Sequence, residues 1–150
     1  MEGANLPAAI LKQAHLGAAN LARAELAAAD LREVSAARAD FRFASLRGAN
    51  FAGADLSHAN LAGADLTPLN NLPDTSRVIP TNLGDANLAN ANLSGAKLGR
   101  YHLANANLRG AIVADCDLTG ADLSGADLSS ANLNGAELRG AKLEGTLLAK

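Results

Sequence analysis

A period of five residues governs this sequence. From Gly120 to Gly145 the chain reads GADLSGADLSSANLNGAELRGAKLEG, and a leucine returns at every fifth position. Residues five apart lie about 140° apart around an α-helix, so these leucines would not form one stripe. In a strand of period two they would alternate between opposite faces. The spacing therefore excludes both a regular helix and a flat strand.

The pattern extends through nearly the whole chain with one interruption. Central residues recur every five positions from 6 to 66 and from 83 to 148, and all are Leu or Phe except Ala36 and Val113. A small residue, mostly Ala, stands two positions before each centre, and the residue between them is often Asn or Asp. Two variable residues follow each centre, and the second is often Gly. The chain thus contains 27 units of one kind.

Each unit needs one turn. Residues two apart in extended chain share a face, so the small residue and the Leu point inward while the Asn or Asp points outward. An odd period keeps every Leu inside only if the chain turns once per unit, and Gly, Ser and Asn suit that turn. Repeated turns of one hand make a coil, and stacked coils satisfy their backbone hydrogen bonds between layers. We expect an all-β solenoid with a leucine ladder as its core.

The motif A(D/N)LXX resembles the pentapeptide repeat family, and the resemblance covers about nine tenths of the chain. It implies a right-handed quadrilateral β-helix with four units per coil. The 27 units would then form about seven coils, and a strand spacing of about 4.8 Å gives a rod roughly 30 to 35 Å long. We expect a single domain over residues 1–150, with coil stacks at 4–66 and 83–149 and an inserted loop at 67–82.

The interruption has two interpretations. Leu66 and Leu83 are 17 residues apart, which leaves twelve residues beyond one regular unit. Three of the four prolines fall here, at Pro68, Pro73 and Pro80, and proline removes a donor that a coil needs. The segment is either a linker between two coil stacks or a recognition loop on a rigid scaffold. Four of its apolar residues are expected to fold back onto the coil wall: Leu69, Leu72, Val78 and Ile79.

The charge and composition of the chain argue against some classes of binding partner. Thirteen basic and fifteen acidic residues give a net charge of −2, and the two stacks share these charges evenly. This balance argues against a basic nucleic-acid face and against direct nucleic-acid binding. No apolar run approaches a membrane span, and no signal peptide is visible. We expect a cytoplasmic protein without a membrane association.

The residues that often carry chemistry are better explained by the repeat. His15, His58 and His102 lack a second ligand at metal spacing, so a zinc site is not expected. Cys116 stands in an inward alanine position, which indicates a small core residue and not a nucleophile. Asp122 and Asp127 fall on successive sides and do not converge as calcium ligands do. We expect no enzyme activity, no cofactor and no metal site.

Departures from the repeat supply the candidate interaction residues. Phe43 lies one coil beyond Arg23, which predicts a pair between a cation and an aromatic ring. Leu147 replaces the outward polar residue near the C-terminus, where an apolar coil edge is expected to support an end-to-end homodimer or to be covered by further chain. The full set is Arg23, Phe43, Leu69, Leu72, Arg77 and Leu147.

Two functions follow from these features. The first is a non-catalytic structural scaffold or protein-interaction module with a protein partner still to be identified. The alternative comes from the resemblance, because some relatives are rods that imitate DNA and modulate DNA gyrase, in some cases through projecting loops. The interrupted rod fits this alternative, whereas the net charge of −2 fits it poorly.

Overall fold

Twenty residues make one coil of the solenoid. In the computed structural model, which describes residues 1–70, 78–98 and 102–148, parallel bridges join residues 20 positions apart, such as Asn20 with Asp40 and Asp40 with Asn60. Four units therefore complete one coil, and the chain is a right-handed quadrilateral β-helix, as the sequence predicted.

The four sides of the rod are numbered in the order in which the chain builds them, starting from the unit of Leu6. Each side carries a row of outward residues related by the bridges. Side 3 carries Asp55, Asn87, Asn107 and Asp127 in successive coils. Side 4 carries Asn20, Asp40, Asn60, Asn92, Ile112 and Asn132.

Each corner is a tight turn with a left-handed residue. At the corner between sides 4 and 1, the Ala24 N–H donates to the Leu21 carbonyl at 3.0 Å, and Arg23 between them has a φ of 57°. A positive φ at the third residue is the mark of a type II turn. The same conformation recurs at other corners, with φ between 53° and 72°. The variable residue two after each centre is therefore the conformationally restricted one.

Backbone hydrogen bonds between coils hold the stack together. The Asp40 N–H donates to the Ala19 carbonyl at 2.9 Å, and the Asp40 carbonyl accepts from the Leu21 N–H at 2.7 Å. Most sides pair through a single outward residue, so strands of two residues are few among the described residues. They are β1 (Leu69–Asn70), β2 (Val78–Ile79), β3 (Asp127–Leu128) and β4 (Leu147–Leu148). β1 pairs antiparallel with β2, and β3 pairs parallel with β4. No helix in the described residues is long and apolar enough to cross a membrane.

The core is the leucine ladder with its neighbouring alanines. The central side chains are almost fully buried from Leu21 to Leu128, and each buried Leu contributes about 1.5 to 3 kcal/mol of transfer free energy. Ala36 leaves room at one centre, while Phe41 and Phe51 are fully buried nearby and meet edge to face at 6.0 Å. The core thus accommodates both a smaller and two larger central residues than leucine.

The insertion leaves the helical register unchanged. The bridge from Asn60 leads to Asn92 and the bridge from Asp55 leads to Asn87, so the offset rises from 20 to 32 across the segment and returns to 20 after it. The twelve extra residues are thus inserted at the corner between sides 1 and 2. The assignment of residues 1–150 to one domain with stacks at 4–66 and 83–149 stays a prediction.

Thr81 closes the coil where the chain returns from the insertion. It is fully buried in a position that is usually Ala. Its hydroxyl accepts a hydrogen bond from the Gly48 N–H at 2.9 Å and donates one to the Leu46 carbonyl at 3.2 Å. One coil earlier, the equivalent Ala28 N–H donates to the carbonyl of Arg47, 19 residues later. The Thr81 hydroxyl therefore replaces a backbone acceptor that the insertion displaces.

The base of the insertion packs on the third coil. A Cβ on Gly48 would lie 2.7 Å from the Leu69 Cβ and 3.2 Å from the Ile79 carbonyl oxygen, so only glycine fits. Leu69 and Ile79 are partly buried, as the prediction that they fold back requires. Val78 is 54% exposed, so its predicted packing on the wall is wrong. Alternate residues of a strand point to opposite faces, and Ile79 takes the inner one. Leu72 and Arg77 lie outside the described residues.

Replacing Thr81 should reveal this substitution of a hydroxyl for a backbone acceptor. Thr81→Val keeps the shape but leaves the buried Gly48 N–H without an acceptor, which should lower the free energy of unfolding by about 1 to 3 kcal/mol. Urea denaturation measures the loss. Thr146→Val is the matched control, because the Thr146 hydroxyl only donates to the Leu123 carbonyl, and it should cost less. Equal losses in the two variants would contradict the assignment.

Candidate functional site

Most outward Asn and Asp side chains form hydrogen bonds with the backbone of their own corner. In fifteen units of the described part of the chain, the side-chain oxygen accepts a hydrogen bond from the N–H two residues later, at 2.9 to 3.3 Å. This is the Asx-turn that explains why Asn and Asp precede turns. The repeated carboxylates and amides therefore direct each corner and do not form a row of free ligands.

Two of these carboxylates also hold an arginine. Arg32 donates from Nε to Asp30 Oδ1 at 2.8 Å and from Nη2 to Asp30 Oδ2 at 2.6 Å. The bonds from Arg32 lower the pKa of Asp30 from 3.8 to about 2. Arg42 donates two hydrogen bonds to Asp40 in the same way, and these bonds lower the pKa of Asp40. Both acids are fixed in their ionised form at neutral pH.

Side 3 carries a hydrogen-bonded ladder across the insertion. Asn87 Nδ2 donates to Asp55 Oδ1 at 3.2 Å, and Asn107 Nδ2 donates to Asn87 Oδ1 at 3.1 Å. Asp55 and Asn87 come from opposite sides of the insertion in sequence. An amide is required at position 87, because a carboxylate there could not donate to the carboxylate below it.

The histidines and the cysteine, the residue types that most often serve catalysis or metal binding, are dispersed over the rod. His15, His58 and His102 are exposed on different parts of the rod. Cys116 is buried, burial raises the pKa of its thiol to about 11, and its sulfur donates to the Leu93 carbonyl at 2.9 Å. Among residues 1–70, 78–98 and 102–148, no three or more His, Cys, Asp or Glu side chains are grouped so that they could hold a metal ion.

Phe43 stands at the corner between sides 4 and 1 and is 62% exposed. Its ring lies toward the next coil, where a Cβ on Gly63 would come within 2.7 Å of the ring carbons. The predicted pair with Arg23 is not formed, and no cation–aromatic pair occurs in the described part of the chain. The sequence placed the two residues at one corner, but the Phe43 ring lies against Gly63 in the following coil.

Leu147 is an outward residue in the last described coil. It is 58% exposed and lies over Asp127 in the pairing of β3 with β4. Leu143 and Leu148 are also exposed there, although both occupy central positions. The structure therefore gives this end three accessible leucines, and the predicted end-to-end dimer stays a prediction.

Sequence reasoning missed the residues that fix the insertion. Arg47 Nη2 donates to the Pro68 carbonyl at 3.3 Å, and Gly48 admits β1 and β2 to the wall. Thr81 stands in a position where most units have Ala. Its position next to the insertion was the available signal, because a hydroxyl among inward alanines needs hydrogen-bond partners.

Comparison with known sequences identifies the class. The family model for pentapeptide repeats matches eight copies over residues 1–35, 37–67, 81–120 and 114–148. The chain belongs to the pentapeptide repeat family. No curated protein matches the sequence.

Solved structures of the same class are similar along nearly the whole chain. HetL, a pentapeptide repeat protein involved in heterocyst differentiation regulation from the cyanobacterium Nostoc sp. strain PCC 7120, is 32% identical over 97% of this chain and 73% of HetL, with a TM-score of 0.62. Rfr23 from the cyanobacterium Cyanothece 51142 is 28% identical over 97% of this chain and 88% of its own, with a TM-score of 0.58. QnrB1, a plasmid-mediated fluoroquinolone resistance protein, is 22% identical over 97% and 84%, with a TM-score of 0.53, and shows the shared fold alone.

Asn87→Asp should convert the side 3 ladder into a repulsive contact. The new carboxylate would lie over Asp55 without a donor between them, which should cost about 0.2 to 1 kcal/mol at pH 7. The pKa of the pair should rise, so the loss should shrink as pH falls through about 4 and one acid is protonated. Asn92→Asp is the control, since its neighbours are Asn60 and Ile112. Denaturation at pH 7 and pH 4 compares them, and equal losses at both pH values would refute the repulsion.

The wild-type protein should lose stability in acid through the Asp30 pair. A carboxyl whose folded pKa is about 2 against about 3.9 when unfolded stabilises the fold above pH 4. That contribution disappears as pH falls from about 4 to 2. Asp30→Asn should be less stable at pH 7 and should show a flatter decline of melting temperature over this range. An equally steep decline in the variant would show that other groups control acid unfolding.

Proposed function

We propose that this protein is a non-catalytic protein-binding scaffold and that the hairpin formed by β1 and β2 is its recognition element. The observation that carries the proposal is the fixed base of the hairpin. Arg47 donates a hydrogen bond to the Pro68 carbonyl, and Leu69 and Ile79 pack against Gly48. The Thr81 hydroxyl accepts a hydrogen bond from the Gly48 N–H. A simple linker would not require these matched contacts on the coil wall.

The use of the other polar residues supports a scaffold without catalysis. Most outward Asn and Asp side chains accept from their own corners, and Asp30 and Asp40 hold arginines. Cys116 has a raised pKa and is buried, so it is not a nucleophile. The proposal therefore assigns the variable contacts of the protein to projecting elements and the repeated residues to the rod.

The hairpin can be removed without changing the coil register. Bridged residues on either side of the insertion are 32 positions apart, whereas those within a stack are 20 apart. Deleting residues 69–80 removes these twelve extra residues. With Pro68→Gly in the same variant, the join reads LTGTNL, which differs from the regular stretch LTGADL at 118–123 only by Thr for Ala and Asn for Asp. Glycine accepts the positive φ of the corner, whereas proline cannot. The variant should retain the β-helix, which circular dichroism and thermal melting can check.

We expect the hairpin-deleted variant to lose binding to a protein partner of the intact protein. Affinity capture from the source organism, followed by reconstitution with each purified candidate, should yield a partner that binds the intact protein and not the hairpin-deleted variant. Val78→Asp should weaken the same complex, because Val78 is the exposed residue of β2. Ser130→Gly, at a corner of the second stack, should leave it intact. A partner bound equally by the folded deletion variant would remove the hairpin from the proposal.

The anchored hairpin also favours a second candidate, modulation of DNA gyrase. The balanced charge of the chain opposes it. Supercoiling by purified gyrase, with and without a quinolone, should change on adding the intact protein and not on adding the deletion variant. An unchanged reaction at excess protein would reject this candidate while leaving the scaffold proposal standing.

A further inference from the structure

The two coil stacks differ in the residues that they place at the left-handed corners. Among the described residues 83–98 and 102–148, the non-glycine residues at positive φ are only Asp, Asn and Ser, and the remaining corners of positive φ are glycines. Arg100 also stands two positions after a centre, but it lies outside the described residues. Asp and Asn tolerate this conformation well. Before the insertion the same positions include six longer or bulkier side chains, namely Gln13, Arg23, Glu33, Arg38, Phe43 and His58. Such residues are strained at positive φ, and retained strain points to a role for the side chain.

Four of these six side chains border one side of the rod. Gln13 and Glu33 share another corner and satisfy each other, since Gln13 Nε2 donates to Glu33 Oε2 at 2.7 Å. Arg38 and His58 stand at the corner that opens side 4, and Arg23 and Phe43 stand at the corner that closes it. The other four, which form no hydrogen bond with one another, are thus gathered around side 4 of the first three coils.

This surface is centred on the segment RADFRF, residues 38–43. Arg38 and Phe43 project from its two corners. Four residues separate them, and the three extended ones, at about 3.3 Å each, span roughly 10 Å. Asp40 faces outward between the corners and is occupied by Arg42 through bonds of 2.6 and 2.9 Å. Phe43 is 62% exposed. We call Arg23, Arg38, Phe43 and His58, with the Asp40–Arg42 pair between them, the side 4 patch.

The side 4 patch has unbalanced positive charge. Arg23 and Arg38 are exposed, and neither has a carboxylate oxygen within 4.0 Å among the described residues. Asp40 is already paired with Arg42, and Glu2, which accepts a hydrogen bond from Asn20 on the same side, also raises the pKa of Arg42. Two guanidinium groups and an exposed aromatic ring therefore face solvent together, and Arg and aromatic residues are the types enriched in protein interfaces.

We propose that the side 4 patch binds an acidic protein segment that carries an aromatic or aliphatic residue. The apolar residue contacts Phe43, and the flanking carboxylates pair with Arg23 and Arg38, which are suited to planar oxyanions. A nucleic acid is disfavoured, because affinity for its backbone requires a run of basic residues, and the patch is short and interrupted by Asp40. The inference goes beyond the scaffold proposal and does not depend on the hairpin.

A peptide probe tests the proposal directly. The probe is a fluorescein-labelled peptide of about twelve residues that contains Asp and Glu around two central Phe residues. One control peptide has Ser in place of Phe, and another has Lys in place of the acids. Fluorescence anisotropy should show saturable binding of the probe that weakens with salt. It should show binding at least about tenfold weaker for both controls.

Substitution by glycine separates binding from folding. Arg38→Gly and Phe43→Gly each relieve a strained corner, so the melting temperature should stay the same or rise while affinity for the probe falls about tenfold. Ala28→Gly makes the same backbone change at a corner between sides 1 and 2, and it should keep full affinity. The hairpin-deleted variant should also bind normally.

Three results would overturn the proposal: no saturable binding of the probe, equal binding of the Lys peptide, or full affinity in both Arg38→Gly and Phe43→Gly. Loss of probe binding in the hairpin-deleted variant alone would instead move the acidic segment to the hairpin. Since that variant is tested for its protein partner separately, failure of the scaffold proposal and failure of this one give different patterns.

Discussion

The hydrogen bond between an outward residue and the coil beneath it is the interaction on which the rest of the structure depends. It recurs every five residues, as between the Asp40 N–H and the Ala19 carbonyl at 2.9 Å. It forms only if the corner before it turns the chain by the same amount each time, which the positive φ of the third turn residue ensures. The inward leucines, the outward rows and the accessible corners all follow from this one geometry.

The same geometry explains why a long insertion is tolerated. An excursion at a corner leaves both neighbouring sides paired, as the bridges from Ser45 to Asp65 and from Asn50 to Asn82 show. The local cost is the backbone acceptor that the excursion removes, and the Thr81 hydroxyl replaces it. Loop closure itself costs little more for a longer loop, because the entropy grows only with the logarithm of length. One well-placed hydroxyl and one glycine therefore admit a projecting element to an otherwise regular wall.

Periodicity was sufficient to predict the coil and which residues face inward, because both depend only on spacing and on the alternation of an extended chain. It could not predict contacts at the corners. Arg23 and Phe43 were correctly placed one above the other, yet the Phe43 ring lies toward Gly63, a side-chain direction that spacing does not specify. Val78 was misassigned because two adjacent apolar residues in a two-residue strand cannot both face the wall. The role of Thr81 depends on an acceptor missing from another coil, which a single unit does not reveal.

Strain provides a criterion for function that the repeat alone does not. A position that accepts glycine in one stack and carries Arg or Phe in the other is not determined by the fold, because both residues satisfy the same turn. The unfavourable backbone conformation must then be offset by the rest of the stack, and here the long leucine ladder supplies that stability. A rigid rod can hold several strained side chains in fixed positions, as Arg38 and Phe43 are held on either side of Asp40. In such a fold the residues that contradict the turn preference are better guides to binding than those that obey it.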